Sequence, residues 1–179
     1  MGKKPDEVLL IIDMLNDFTL KGAPLEVPDN SRILPNIKRQ IKAAHKSGIP
    51  VIFINDSHDP NDREFKVWPR HAVKGTRGAQ VVDEIAPTVK DLIIEKNTLS
   101  GFYNTKLESI LKDLRVKKIK ICGCISNICV LYIAFDATLR GYNVEVIEDC
   151  VAALNEEDHY FAMKQLENVI GAKVIRRKK

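Results

Sequence analysis

Three residues of the chain are of the types that an acyl transfer needs: a thiol at Cys129, a carboxylate at Asp13 and an ammonium at Lys96. Cys129 follows a strand-ending Gly123, and its spacing puts it in the first turn of an apolar helix that runs to Arg140. Free N–H groups and the helix dipole at such a turn lower a thiol pKa and can hold an oxyanion. Asp13 and Lys96 each close an apolar run with a charge. At one sheet edge the carboxylate would take the thiol proton and the ammonium would stabilise the thiolate, with no histidine required. Each residue also has a plain structural reading. A free cysteine is commonly a small buried hydrophobe, and strands end in polar residues because the chain is leaving the core. Cys122 and Cys124 read as core cysteines, since a metal site built from them with Cys129 lacks the usual C-x-x-C pairs.

A second set of residues points to metal. Asp56 and His58 stand together where an apolar run stops, and His71 follows far enough along to close over them. Two histidines and a carboxylate suit a divalent transition metal with positions left open for water or substrate. The plain alternative is a pair of surface loop histidines. Asp59, Asp62 and Glu64 either add ligands or solvate the loop. Trp68, the only tryptophan, stands in a polar stretch, where an indole often presents a flat wall to a ligand.

Short apolar runs alternate with helix-period segments to supply the frame. The runs are Val8 to Asp13, Val51 to Asp56, Leu92 to Lys96, Lys118 to Cys124, Val144 to Asp149 and Lys173 to Arg176. The first two are nearly continuous in apolar residues, as strands buried on both faces should be. Ile33, Ile37, Ile41 and Ala44 form a helical stripe that Gly48 and Pro50 stop. Thr105 with Glu108 reads as a capping box before Leu107, Ile110, Leu111 and Leu114. Asn155 caps the last helix, with Ala162, Leu166 and Val169 facing inward and Gly171 ending it. This alternation predicts a three-layer α/β/α fold around a mostly parallel, six-stranded, Rossmann-like sheet with helices on both faces. In such sheets the active groups gather at the carboxyl ends of the strands. Those ends carry Asp13, Asp56, Lys96, the turn from Gly123 to Cys129, and Asp149. The stretch Ser57 to Arg77, about 21 residues without periodicity, is long enough to be functional.

Length and charge exclude several classes. The 179 residues suit one domain, residues 1–179. The composition, 45% hydrophobic and 29% charged, is that of a globular chain rather than a disordered one. The formal charge of +4 resides in the tail Arg176, Arg177, Lys178 and Lys179, without which basic and acidic residues number 24 each. A neutral body argues against nucleic acid, and no basic and aromatic residues interleave. No apolar run is long enough for a membrane span, so no membrane partner is expected. The first apolar run, flanked by acids, reads as a strand and not a signal peptide. With no secretion signal and three cysteines crowded together, a disulfide framework is not expected and a cytoplasmic location is. GxGxxG, P-loop and HExxH motifs are missing.

Taken together, the segments resemble the isochorismatase-like cysteine hydrolases, and within them the nicotinamidase/pyrazinamidase branch. The resemblance rests on Ile11 to Phe18 (IIDMLNDF), Asn55 to His58 (NDSH), Trp68 to Ala79, Ile93 to Leu107, and Gly123 to Val130 (GCISNICV) followed by Ala134, Asp136 and Ala137. It implies a triad of Asp13, Lys96 and Cys129, with Cys129 forming a thioester as ammonia leaves a small-molecule amide. It further implies an oxyanion hole from the backbone N–H groups of Ile125 and Cys129, and a cis peptide between Cys124 and Ile125. The metal, zinc first with iron or manganese as alternatives, would lie on Asp56, His58 and His71, and Phe18 and Trp68 would flank the substrate ring. Family members often self-associate, so a homo-oligomer is expected. The chain departs from many nicotinamidases at Ser57, where they have Trp, at Asp62, where a further His is usual, and at Ala72, which replaces a Cys. The segment Leu99 to Phe102 also occurs in branches that hydrolyse other amides and ureido compounds. Two alternatives therefore stand beside the nicotinamidase reading: a metal-free hydrolase of an enol ether, ureido or carbamoyl compound, and a catalytically silent binding or scaffolding domain.

Overall fold

A computed structural model describes residues 5–176. The apolar runs become six strands: β1 (Glu7–Ile12), β2 (Val51–Asp56), β3 (Leu92–Lys96), β4 (Lys118–Cys124), β5 (Asn143–Ala152) and β6 (Lys173–Ile175). They pair in parallel throughout, in the order β3-β2-β1-β4-β5-β6. The helices are α1 (Asn16–Thr19), α2 (Asn30–Lys46), α3 (Leu107–Asp113), α4 (Leu131–Leu139) and α5 (Glu156–Gln165).

Side-chain alternation inside the continuous apolar runs explains the layering. Val8, Leu10 and Ile12 of β1 pack with Leu107, Ile133, Ala134, Ala162 and Leu166, from α3, α4 and the segment of α5. Leu9 and Ile11, pointing the other way, pack with Ile33, Ile37 and Ile41 of α2. A central strand apolar on both faces needs a layer on each side, which is why three layers form. Each fully buried Ile or Leu contributes about 1.5–3 kcal/mol relative to exposure, so these two clusters hold the sheet between them.

Several local expectations change. β5 runs on through Cys150, Val151 and Ala152, so Asp149 lies within the strand rather than at its end. A register shift in β4 between Ile121 and Gly123 carries the pairing on to Val151 and Ala152. The capping box does not close: Thr105 Oγ1 accepts from Leu107 N–H at 3.1 Å, while Glu108 is held by Lys112 and Arg140. Asn155 does cap α5, accepting from Asp158 N–H at 2.8 Å. Val169, expected inside, is 68% exposed, because the chain from Leu166 to Ile170 widens into a π turn that brings Ile170 against the core instead. In the basic tail, Arg176 pairs with Glu148 and Glu167, and Arg177 to Lys179 lie outside the described residues. None of the described helices is long and apolar enough to cross a membrane.

The strand order reverses between β1 and β4, which opens a crevice at their carboxyl ends. Gly123 makes the approach possible. Its φ is +119°, and a Cβ there would lie 2.0 Å from the Ile12 carbonyl oxygen, so only glycine lets β4 run against the end of β1.

Candidate active site

Sheet register brings three of the expected residues together. Asp56 and Lys96 are direct partners in the β2–β3 pairing, and Ile12 pairs with Gly123 across β1 and β4. Asp13 continues β1 with φ +50°, a left-handed turn that an aspartate tolerates better than most side chains. Its N–H donates to Ile54 O, and its Oδ1 accepts from Asp56 N–H at 2.8 Å. After β4, the cis peptide expected between Cys124 and Ile125 is present. A π turn, Ser126–Val130, then delivers Cys129 and leads into α4. Cys122 and Cys124 are buried in the core, as read.

Lys96 Nζ is the hub. It lies 2.8 Å from Asp13 Oδ2, bonds Asp56 Oδ1, and reaches Cys129 Sγ at 3.5 Å. Carboxylate oxygens of Asp13 and Asp56 and the Cys129 sulfur all lie within 4.8 Å of one another. Asp13, Asp56 and Lys96 are buried, and Cys129 is 6% exposed. Burial pulls the Lys96 pKa down, but the two carboxylates outweigh it and hold the ammonium charged. Asp13 is pushed up to about 6, first by burial and then by the charge of Asp56, against the pull of Lys96. Burial also pushes at Asp56, yet Lys96 and His58 outweigh it and keep Asp56 below the ordinary carboxylate value.

Cys129 corrects an expectation. Its thiol was expected below its ordinary pKa, from the turn and the helix dipole. Burial pushes it well above, with Asp13 and Asp56 adding to the rise and only Lys96 opposing. Burial and the two neighbouring carboxylates thus favour the thiol over the thiolate.

Asp56, His58 and His71 also come together, with one potential ligand atom from each inside the same 4.8 Å. His58 is fully buried and His71 is 1% exposed, so neither is a surface loop histidine. His58 Nε2 is 3.7 Å from Asp56 Oδ2, and His71 Nε2 is 3.9 Å from the same oxygen. The opposite nitrogens are occupied: His58 Nδ1 by Asp62 Oδ2 at 3.1 Å, and His71 Nδ1 by the Pro69 carbonyl at 2.7 Å. That leaves both Nε2 atoms directed at one gap, and His58 Nε2 has no hydrogen-bond partner there although it is buried. An orphaned buried imidazole nitrogen, with an oxygen fixing the far side of each ring, is the donor set a divalent transition metal takes. Burial would lower the His58 pKa, but Asp56, Asp62 and Glu64 outweigh it and raise it to about 9, so a metal on Nε2 would have to displace a proton from the ring. Asp62 thus fixes the far side of the His58 ring, while Glu64 Oε1 lies 3.9 Å from His71 Nε2.

Phe18 and Trp68 line one slot together with Leu25, Leu99, Ile125 and Ile128, and Cys129, Asp56, Glu64 and His71 open into it. Phe18 also stands edge-on to His71, with ring centroids 5.2 Å apart. Sequence reasoning missed two supporting residues. Asn30, fully buried, donates from Nδ2 to Phe18 O and Cys124 Sγ. Asp17 accepts from Ala72 N–H. Asn30 stands among Asp29, Ser31 and Arg32 and Asp17 follows Asn16, so nothing local marks either residue, and only the fold reveals what they meet.

The isochorismatase domain model matches residues 7–179. An Arabidopsis thaliana protein described as a probable inactive nicotinamidase is 35% identical over 172 residues, covering 90% of this chain and 88% of the relative. The structure of Pyrococcus horikoshii pyrazinamidase in complex with zinc superposes with a TM-score of 0.91 at 31% identity, covering 97% of this chain and 100% of that one. N-carbamoylsarcosine amidase from Thermoplasma acidophilum superposes at 0.87 with 35% identity, covering 97% of each. A match across nearly the whole chain, in both sequence and fold, means that the chain belongs to the isochorismatase family of hydrolases.

Proposed function

We propose that the protein is a nicotinamidase-type amide hydrolase that converts a small, neutral aromatic amide to its acid and ammonia through a thioester on Cys129. The observation that carries this reading is the convergence of Asp56, His58 and His71 on one buried gap beside Cys129. A metal-free hydrolase gains nothing from burying an imidazole nitrogen without a partner. The slot adds support: its walls are mostly the apolar side chains of Phe18, Leu25, Trp68, Leu99, Ile125 and Ile128, and among the described residues no Arg or Lys lines it. An anionic carbamoyl or ureido acid would therefore enter without a counter-charge.

In this reading Asp13 takes the Cys129 proton as the sulfur bonds to the amide carbon. Backbone N–H groups of Ile125 and Cys129 receive the developing oxyanion. Protonated Asp13 then gives its proton to the departing nitrogen, the C–N bond breaks, and ammonia leaves a thioester. Asp13 next accepts a proton from the water that attacks the thioester and returns it to the sulfur as the acid is released. Lys96 stays charged throughout and offsets the negative charge that moves between Asp13 and Cys129. Asp56, His58 and His71, with Glu64 as a further ligand, would hold a zinc or similar ion, which supplies a Lewis-acid anchor for a ring nitrogen or water. Phe18 and Trp68 would flank the ring. We include self-association in the proposal: α4 turns Tyr132, Phe135 and Leu139 outward, at 46%, 46% and 67% exposure.

Ammonia release from nicotinamide, measured on protein with quantified zinc beside Cys129→Ala, tests the reading. Wild type should turn over nicotinamide, and the variant should lose at least ~1,000-fold in kcat while keeping its metal. Stoichiometric zinc with no turnover of nicotinamide, but turnover of a carbamoyl or ureido acid, would replace the substrate. Full activity in Cys129→Ala would end the mechanism.

A further inference from the structure

We propose that Asp17 is a positioning residue for the metal site, a carboxylate clamp that sets where both histidines stand. The inference rests on the metal reading above. Asp17 Oδ2 accepts from Ala72 N–H at 2.8 Å, next to His71 in sequence. Ala72 has φ +45°, a left-handed conformation that an alanine does not adopt unaided. On its other side the Ala72 carbonyl accepts from His58 N–H at 2.9 Å. One residue thus links the two histidine backbones, and Asp17 holds that residue in its strained turn.

Neighbouring bonds tie the same two segments. Asn16 Nδ2 donates to Arg77 O at 2.8 Å, and Asn16 N–H donates to Gln80 O at 2.9 Å. Gly78 completes the clamp by having no side chain. A Cβ at that position would fall 2.1 Å from Asp17 Oδ2 and 2.3 Å from Asp17 Cγ, so the backbone around Gly78 encloses the carboxylate. The segment just after Asp13 therefore also governs the separate excursion that carries His71. The proton acceptor and the metal ligands share one mechanical anchor. Without the acceptor at Asp17, Ala72 would relax from its strained φ, and both imidazoles would turn away from Asp56.

Binding of Zn2+ alone to metal-free protein, in competition with a chromogenic chelator, tests this without reference to activity. Asp17→Ala should weaken zinc binding by about 10–100-fold, the usual cost of losing a group that orients a ligand. Asp17→Asn, which keeps an oxygen acceptor for Ala72, should bind within about threefold of wild type. Gly78→Ala should reproduce the Asp17→Ala loss by displacing the carboxylate rather than removing it, and it decides the matter if Asp17→Ala does not fold. Wild-type zinc affinity in both Asp17→Ala and Gly78→Ala would overturn the clamp, as would Asp17→Asn binding as weakly as Asp17→Ala. A wild-type protein that binds no zinc would instead overturn the metal reading, and the titration of wild type separates that failure from failure of the clamp.

Discussion

Two halves of one site are built by different means. Asp13, Lys96 and Asp56 stand at the ends of paired strands, and sheet register alone sets their spacing. His58, Glu64 and His71 belong to the excursion after β2, held by an isolated bridge between His58 and Val73 and by single side-chain bonds such as Asp17 to Ala72. The strand half is over-determined, because moving one of its residues means moving a strand through two packed clusters. The excursion half has no strand register of its own, and its buried residues His58, His71 and Ala72 are placed by individual bonds to the chain around them. In the reading proposed above, the proton acceptor and Lys96 would then sit on the sheet, and two of the three metal ligands on the loop.

Lys96→Met tests that contrast most severely. It leaves Asp13 and Asp56 buried side by side without the ammonium between them, and breaking a buried pair in this way costs about 3–5 kcal/mol. Ammonia release should vanish, and chemical denaturation should show the loss in stability. A fully active Lys96→Met would mean that the strand half is not the reacting half. His71→Ala probes the loop half. It should abolish stoichiometric zinc and cut turnover at least ~100-fold, yet unfold in the presence of chelator within a few degrees of wild type, by about the amount expected for a loop residue. An equally large fall in stability would show that the excursion is part of the folding core.

The smallest effect belongs to the bracing between α3 and α4. Glu108 bonds Lys112 and Arg140, and Arg140 reaches Asp136, which holds Ser100 just beyond Lys96. Those bonds to Lys112 and Arg140 hold Glu108 below its ordinary value of 4.5. A carboxyl whose pKa falls on folding stabilises fully above its unfolded value, and loses that stabilisation as pH drops through the folded one. Glu108→Gln should therefore melt slightly below wild type at pH 7, by no more than about 2 °C, with the gap closing toward pH 3. A gap that persists at low pH would assign the effect to packing rather than charge.

Much of the strand half could be read from the chain. Asp13 and Lys96 are conspicuous because each ends an apolar run with a charge, and a parallel sheet collects such ends on one edge. The excursion half was legible only as residue types, two histidines near one aspartate. No periodicity says which way a loop histidine turns, and that depends on Asp62 and the Pro69 carbonyl holding the far nitrogens. Val169 went astray because regular α geometry was assumed, and the box at Thr105 because the helix is capped one residue later, at Lys106. The chain instead forms a π turn at one place and bonds Thr105 to the nearer Leu107 N–H at the other.

By itself, the sequence determined the layers, the parallel sheet and the edge at which the charged groups would meet, since these follow from hydrophobic period and strand ends. Only the tertiary structure decided the direction in which the Cys129 pKa moves, because a thiol pKa depends on burial and on charges distant in sequence. It also decided the pairing of Asp17 with Ala72, a contact across 55 positions that no local pattern encodes.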